Sequence, residues 1–151
     1  EAMLAGGLRF DALVEPRHLP MLARFAERWP DLPIVIDHAA KPFAAERKLD
    51  PWRDDIAALG ALGLHCKLSG LRTEQAAGQS ADELTPYVEH LVATFSRRLM
   101  WGSDWPVIRL AGDDWRRWYK DALRLAAQAG ADPAQLFSGA ATDFYGLESR
   151  P

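Results

Sequence analysis

The chain alternates four times between a short apolar stretch and a longer stretch whose apolar residues recur at helical spacing. The apolar stretches are LRFDALV (8–14), PIVIDH (33–38), LGLHCKLSG (62–70) and RLMWGSD (98–104). Runs of this length predict strands, and strands joined through helices are parallel, with right-handed crossovers. The sequence therefore predicts an α/β fold. It is either a small doubly wound sheet or half of a βα barrel, whose full length is about 250 residues.

Each predicted strand is followed by a predicted helix. The helices cover residues 22–29, residues 51–62 with Pro51 in the first turn, a segment from Ser80 to about Phe95, and a segment around 115–126. Ser80 and Glu83 have the spacing of a capping box. A last short helix is expected near Pro133. The first residues, EAMLAGG, are typical of the end of a helix, which predicts that the sequence is part of a longer chain.

The composition limits the class of protein. The 151 residues carry a net charge of -3, with 48% hydrophobic and 26% charged residues, as in a soluble globular domain. The sequence has no basic patch of the kind that would predict a nucleic-acid partner, and it has no apolar run long enough for a membrane span. The single cysteine, Cys66, leaves no internal disulfide. These features predict a cytoplasmic protein without a nucleic-acid or membrane partner.

Ionisable or hydroxyl-bearing residues stand at or just after the end of every predicted strand. In chain order they are Glu15 with Arg17 and His18, Asp37 and His38 with Lys41, Lys67 with Ser69, and Ser103 with Asp104. In both candidate architectures, the carboxyl ends of the strands carry the chemistry. We therefore expect these side chains to gather at one edge of the sheet.

The two-residue period of a strand makes the expected placement more specific. The residues expected to share a face are Ile34, Ile36 and His38 on the second strand, and Met100, Gly102 and Asp104 on the fourth. If both faces point into a barrel, His38 and Asp104 meet over one ligand. Gly102 then leaves room for that ligand beneath Asp104.

Structural explanations of the same residues stay open at this point. Asp37 could cap a loop, Asp104 could form an Asx turn, and Lys67 could extend its ammonium into solvent. Cys66 is expected to pack in the core. The sequence has no glycine-rich phosphate loop, no G-x-S-x-G, CxxC or HExxH motif and no His-x-His pair. It therefore cannot supply a three-ligand metal site alone.

Four stretches carry a resemblance to a known family. They are VIDHAAKP (35–42), CKLSGL (66–71), RLMWGSDWPV (98–107) and ATDFYGLE (141–148). Together they resemble the amidohydrolase-related TIM-barrel hydrolases, above all the sugar-acid lactonase branch (L-fuconolactonase- and L-rhamnonolactonase-like) and the dicarboxylate lactone hydrolases. The likeness runs in order over nearly the whole chain. DHxxKP and GSDWPV are its most specific parts.

The resemblance implies that residues 1–151 are the C-terminal half of a single (βα)8 TIM barrel, with strands five to eight. Asp104 matches the family's strand-eight aspartate, which activates water, and His38 matches the strand-six histidine, which polarises the carbonyl. The implied activity is hydrolysis of a lactone, and the expected substrate is the lactone of a sugar acid. The candidates for substrate binding are Lys67, Ser69, Trp105 and Arg17.

The resemblance leaves the cofactor and part of the function open. The implied cofactor is either none or one divalent metal ion such as zinc, with His38 and Asp104 as ligands if a metal binds. The expected partners are a small lactone and either an N-terminal half-barrel segment or a second copy of the chain. The alternatives are a metal-dependent decarboxylase or amidohydrolase on the same barrel, and a fragment that is inert without its other half.

Overall fold

A computed structural model describes residues 1–147; Glu148, the last residue of ATDFYGLE, lies outside them. Four parallel strands form one sheet: β1 (Phe10–Ala12), β2 (Ile34–Ile36), β3 (His65–Leu68) and β4 (Leu99–Trp101). Their spatial order is β1-β2-β3-β4. A doubly wound sheet reverses its strand order at a switch point. The sequential order therefore agrees with half of a barrel and not with a doubly wound sheet.

The helices follow the predicted plan. They are α1 (Ala2–Ala5), α2 (Leu19–Arg28), α3 (Trp52–Ala61), α4 (Thr85–Phe95), α5 (Trp115–Gln128) and α6 (Ala140–Tyr145). Ser80 and Glu83 form the expected capping box, although the turn it opens, Ala81–Leu84, is a 3₁₀ turn that leads into α4. A π turn, Gln135–Gly139, precedes α6. Within residues 1–147, every helix is too short or too polar to cross a lipid bilayer.

The sheet buries its two faces against different helices. On one face, Ile34, Ile36, Cys66 and Leu68 belong to the main core, which also contains buried residues of α2 to α5. On the other face, a smaller cluster joins Val35 and Met100 of the strands to Ala140 and Phe144 of α6. The face that lacks the four long helices corresponds to the inside of a barrel.

This arrangement corrects one sequence-based expectation. Ile34 and Ile36 face the helices, whereas Met100 lies on the opposite face with Val35. The prediction that Ile34, Ile36 and His38 share an inner face with Met100 is therefore wrong. The strand period fails for His38 because β2 ends at Ile36 and the backbone then enters a left-handed turn.

Candidate active site

His38 and Asp104 come together at the carboxyl ends of β2 and β4, although 65 residues of chain separate them. The distance from His38 Nε2 to Asp104 Oδ1 is 3.7 Å. This distance is longer than a hydrogen bond, so the two groups face each other across a gap. The Asp104 side chain is 6% exposed, whereas that of His38 is 26% exposed. The pair is therefore largely shielded, yet solvent reaches the imidazole.

An unusual turn brings His38 to this position. His38, Ala39, Ala40 and Lys41 have φ values of 51°, 49°, 58° and 55°. Non-glycine residues in this left-handed region are strained, and the strain must be offset by the surrounding structure. One anchor is Trp52 of α3, whose Nε1 donates to the Ala39 carbonyl at 2.7 Å. The core helix thus stabilises the turn that carries the imidazole.

Two residues after β3 complete the surroundings of the imidazole. Ser69 is 2% exposed, and its Oγ lies 2.8 Å from His38 Nδ1. Gly70 has φ 68°, and a Cβ at this position would lie 2.6 Å from His38 Cγ. Glycine is required at position 70 for two reasons: it readily adopts this φ, and it lacks the Cβ that would collide with the ring.

Asp104 is held at the end of β4 in a backbone conformation of φ 54°. Trp118 of α5 donates from Nε1 to the Gly102 carbonyl at 3.1 Å, which fixes the segment that leads to Asp104. A Cβ at Gly102 would lie 3.0 Å from Ser69 Cβ. The glycine thus lets the end of β4 approach Ser69, a different use of Gly102 from the ligand space expected from the sequence.

Burial raises the pKa of the Asp104 carboxyl, because the charged form loses hydration in this position. The charge of Lys41, and that of His38 when it is protonated, act in the opposite direction, whereas the negative charge of Glu74 acts with burial. Lys41 and Glu74 form an ion pair at 3.1 Å. A carboxyl with a raised pKa in a shielded position has the properties of a general base.

Lys67 lies in a separate cluster of charges on the inner face of the sheet. Its Nζ is 2.6 Å from Asp11 on β1 and 2.6 Å from Asp37 at the end of β2. Tyr145 of α6 donates its hydroxyl to Asp11 at 2.7 Å. Partial burial on its own disfavours the ammonium, but the hydrogen bonds to both aspartates raise the pKa of Lys67. Lys67 therefore links three neighbouring strands.

We expect Lys67→Met to destabilise the chain by about 1–3 kcal/mol, because two partly buried carboxylates then face each other without a cation. Lys67→Arg keeps the charge and is the matched control, with a smaller loss. The free energy of unfolding from urea titration measures both. Equal stability of Lys67→Met and the unchanged chain would show that the ion pairs contribute nothing.

The other two substrate-binding candidates lie in two different cavities. Arg17 pairs with Glu15 at 2.9 Å and borders a cavity of about 380 Å³ that also contacts Lys41 and Glu74. Trp105 is 64% exposed and borders an aromatic cavity of about 430 Å³ beside β4. Contact with a substrate stays a prediction for Arg17, Trp105, Lys67 and Ser69.

The described residues do not fit a metal ion by themselves. A zinc site takes at least three protein ligands, as a rule His, Cys, Asp or Glu side chains. Within residues 1–147, no three such side chains converge. His38 and Asp104 offer two, and Ser69 occupies the other nitrogen of the imidazole.

Comparison with known proteins shows the family to which the chain belongs. A family model described as Amidohydrolase matches residues 1–147. The chain belongs to the amidohydrolase family. Among curated members, it is 44% identical to an L-fucono-1,5-lactonase of Burkholderia ambifaria and 36% identical to one of Burkholderia multivorans. These alignments cover 98% and 91% of the chain, but 53% and 51% of the relatives. The chain thus spans about half the length of these amidohydrolases.

A solved structure gives the same result for the fold. A crystal structure of a zinc-bound amidohydrolase from Burkholderia multivorans matches with a TM-score of 0.87 and 31% identity. The match covers 97% of the chain and 55% of that amidohydrolase. Together with the sequential parallel sheet, this coverage confirms the predicted fold class, the half barrel.

The sequence alone did not reveal several members of the site. The loop after β3 supplies Glu74 and determines the positions of Ser69 and Gly70 beside the imidazole. No local pattern indicates that this loop turns toward His38. The one available signal was Gly70 directly after Ser69, since a glycine that ends a strand often marks a close backbone approach.

Proposed function

We propose that this chain supplies half of the active site of a lactone hydrolase that acts on a sugar-acid lactone. The observation that carries the proposal is the 44% identity to an L-fucono-1,5-lactonase over 98% of the chain. The facing His38 and Asp104 support it, because opening a cyclic ester requires a base for water and a donor for the carbonyl oxygen.

In the proposed mechanism, the Asp104 carboxylate removes a proton from water while the water oxygen attacks the lactone carbonyl carbon. The carbonyl oxygen becomes an oxyanion, and His38 donates a hydrogen bond to it from Nε2. The bond between the carbonyl carbon and the ring oxygen then breaks. Protonated Asp104 returns its proton to that oxygen, so the product is the open hydroxy acid and Asp104 is a carboxylate again.

The proposal includes a partner. One edge of β1 and one edge of β4 have no strand neighbour within the described chain. The unpaired backbone N–H and C=O groups of such edges readily form hydrogen bonds with another strand. An N-terminal half barrel placed against both edges closes the sheet and adds groups from the remaining strands to the site. A second copy of this chain is the alternative partner.

A chimaera tests the proposed function. The N-terminal half of the Burkholderia ambifaria L-fucono-1,5-lactonase is joined to residues 1–151 of this chain. Lactone opening is measured through the release of acid. We expect hydrolysis of L-fucono-1,5-lactone by the chimaera and little by the 151-residue chain alone, because the chain alone has an incomplete set of oxyanion donors. A folded, monomeric chimaera without lactone hydrolysis would overturn the proposal. Loss of carbon dioxide from a substrate would instead indicate the decarboxylase.

The pH dependence of the chimaera tests the role of Asp104 as the base. Because burial raises the pKa of Asp104, the carboxylate is lost on acidification at a higher pH than an ordinary aspartate loses it. We expect kcat/KM to fall about tenfold per pH unit on the acid side, with a midpoint above about 4, the ordinary value. Glu74→Gln removes a charge that raises this pKa, so it is expected to move the midpoint to lower pH. A flat profile down to pH 4 would contradict the assignment.

A further inference from the structure

We propose that Ser69 is a positioning residue that holds neutral His38 in the tautomer protonated at Nε2. The imidazole then presents an N–H, and not a lone pair, to the carbonyl oxygen of the substrate. The inference rests on the proposed function for its catalytic meaning. The tautomer itself is a property of the chain that is measured without any substrate.

A hydrogen bond joins the side chains of Ser69 and His38. Ser69 Oγ lies 2.8 Å from His38 Nδ1, and Ser69 is 2% exposed. Among residues 1–147, His38 is the sole hydrogen-bond partner of this hydroxyl. A buried hydroxyl has one proton to donate, and leaving it without an acceptor costs about 1–3 kcal/mol. The hydroxyl therefore donates to Nδ1, and the ring proton of neutral His38 is on Nε2.

The imidazole ring and the Ser69 hydroxyl have little freedom to move apart. The Gly70 backbone lies against the imidazole, where an added Cβ would be 2.6 Å from Cγ. Gly102 lies against Ser69, where an added Cβ would be 3.0 Å from the serine Cβ. Ser69 thus lies enclosed between the imidazole on one side and Gly102, at the end of β4, on the other. The hydrogen bond is part of the packing at this point.

The tautomer determines what Nε2 can do in the gap toward Asp104. Nε2 and Asp104 Oδ1 are 3.7 Å apart. A water oxygen beside the line that joins them can lie about 2.8 Å from both. With the proton on Nε2, His38 donates to the carbonyl oxygen of a substrate that enters this gap, while Asp104 accepts from the attacking water. A metal at Nε2 would require the opposite tautomer, which leaves the Ser69 hydroxyl proton without an acceptor among the described residues.

Nitrogen NMR of the ¹⁵N-labelled 151-residue chain tests the proposal at about pH 8, where an ordinary imidazole is neutral. The His38 ring signals are assigned by their loss in His38→Gln. We expect an unprotonated Nδ1 and a protonated Nε2 in the unchanged chain, and a smaller Nε2–H population in Ser69→Ala. Ser138→Ala, which removes an exposed hydroxyl from the π turn before α6, is expected to leave the His38 signals unchanged.

Two results would overturn the proposal. One is a His38 protonated mainly at Nδ1 in the unchanged chain. This result does not depend on the folding of any variant. The other is an unaltered pair of ring signals in a folded Ser69→Ala. In the lactonase chimaera, Ser69→Ala is expected to lower kcat about tenfold with little change in KM, because in the positioning role Ser69 contacts His38 and not the substrate. A correct tautomer in an inactive chimaera would count against the lactonase proposal and leave the assignment of Ser69 in place.

Discussion

Asp104→Asn is expected to lower kcat of the lactonase chimaera by about 10²–10⁴-fold, the usual contribution of a general base. The amide has nearly the shape of the carboxyl but does not accept the proton of the attacking water. KM is expected to change little, because the substitution removes an interaction that matters in the transition state. Steady-state kinetics of acid release with L-fucono-1,5-lactone provide both parameters.

Asp31→Asn is the matched control for this substitution. Asp31 is an exposed aspartate before β2, at the amino end of the sheet and therefore opposite Asp104. We expect kcat and KM to stay unchanged in this variant. Near-normal hydrolysis by Asp104→Asn would show that another group activates water, and the assignment of the base would be wrong.

Trp52→Ala is expected to destabilise the 151-residue chain by about 3–5 kcal/mol, as for other large aromatic residues truncated in a core. Trp52 is completely buried, and its ring centroid lies 5.5 Å from that of Tyr87 on α4. The substitution also leaves the Ala39 carbonyl without its donor. Because that carbonyl belongs to the left-handed turn of His38, the loss of stability is expected to disturb the site as well.

Two further variants separate packing from hydrogen bonding at this position. Trp52→Phe keeps most of the buried ring but removes the donor, so a loss of about 1–3 kcal/mol is expected. Trp115→Ala truncates a tryptophan that is 42% exposed, and a change within about 0.5 kcal/mol is expected. Urea unfolding measures all three. A Trp52→Ala chain as stable as Trp115→Ala would contradict the role given to Trp52.

The element plan was predictable because it depends on local chemistry. The capping box of Ser80 and Glu83 satisfies backbone donors within one turn, and the apolar period of α5 needs no distant partner to be recognised. The burial of Cys66 was predicted in the same way. Burial also raises the pKa of its thiol, so Cys66 stays a protonated core residue.

The inner and outer faces of the strands were less predictable. Ile34, Val35 and Ile36 are all apolar and all buried, so alternation between polar and apolar residues does not distinguish the faces of β2. The two faces differ only in which helices cover them. A short helix from the end of the chain, α6, covers the face expected to be the inside of a barrel.

The sequence by itself determined four parallel βα units, the order of their strand ends and the candidates His38 and Asp104. These features depend on local periodicity and on the residue types at strand ends, which neighbouring residues reveal. Only the tertiary structure decided which of the other strand-end candidates, Lys67 and Ser69, lies beside His38. Lys67 lies between two aspartates on the inner face, whereas Ser69, two residues later, lies under the imidazole. The physical reason is that the left-handed turn after β2 and the approach of Gly70 and Gly102 depend on contacts between strands that are distant in the sequence.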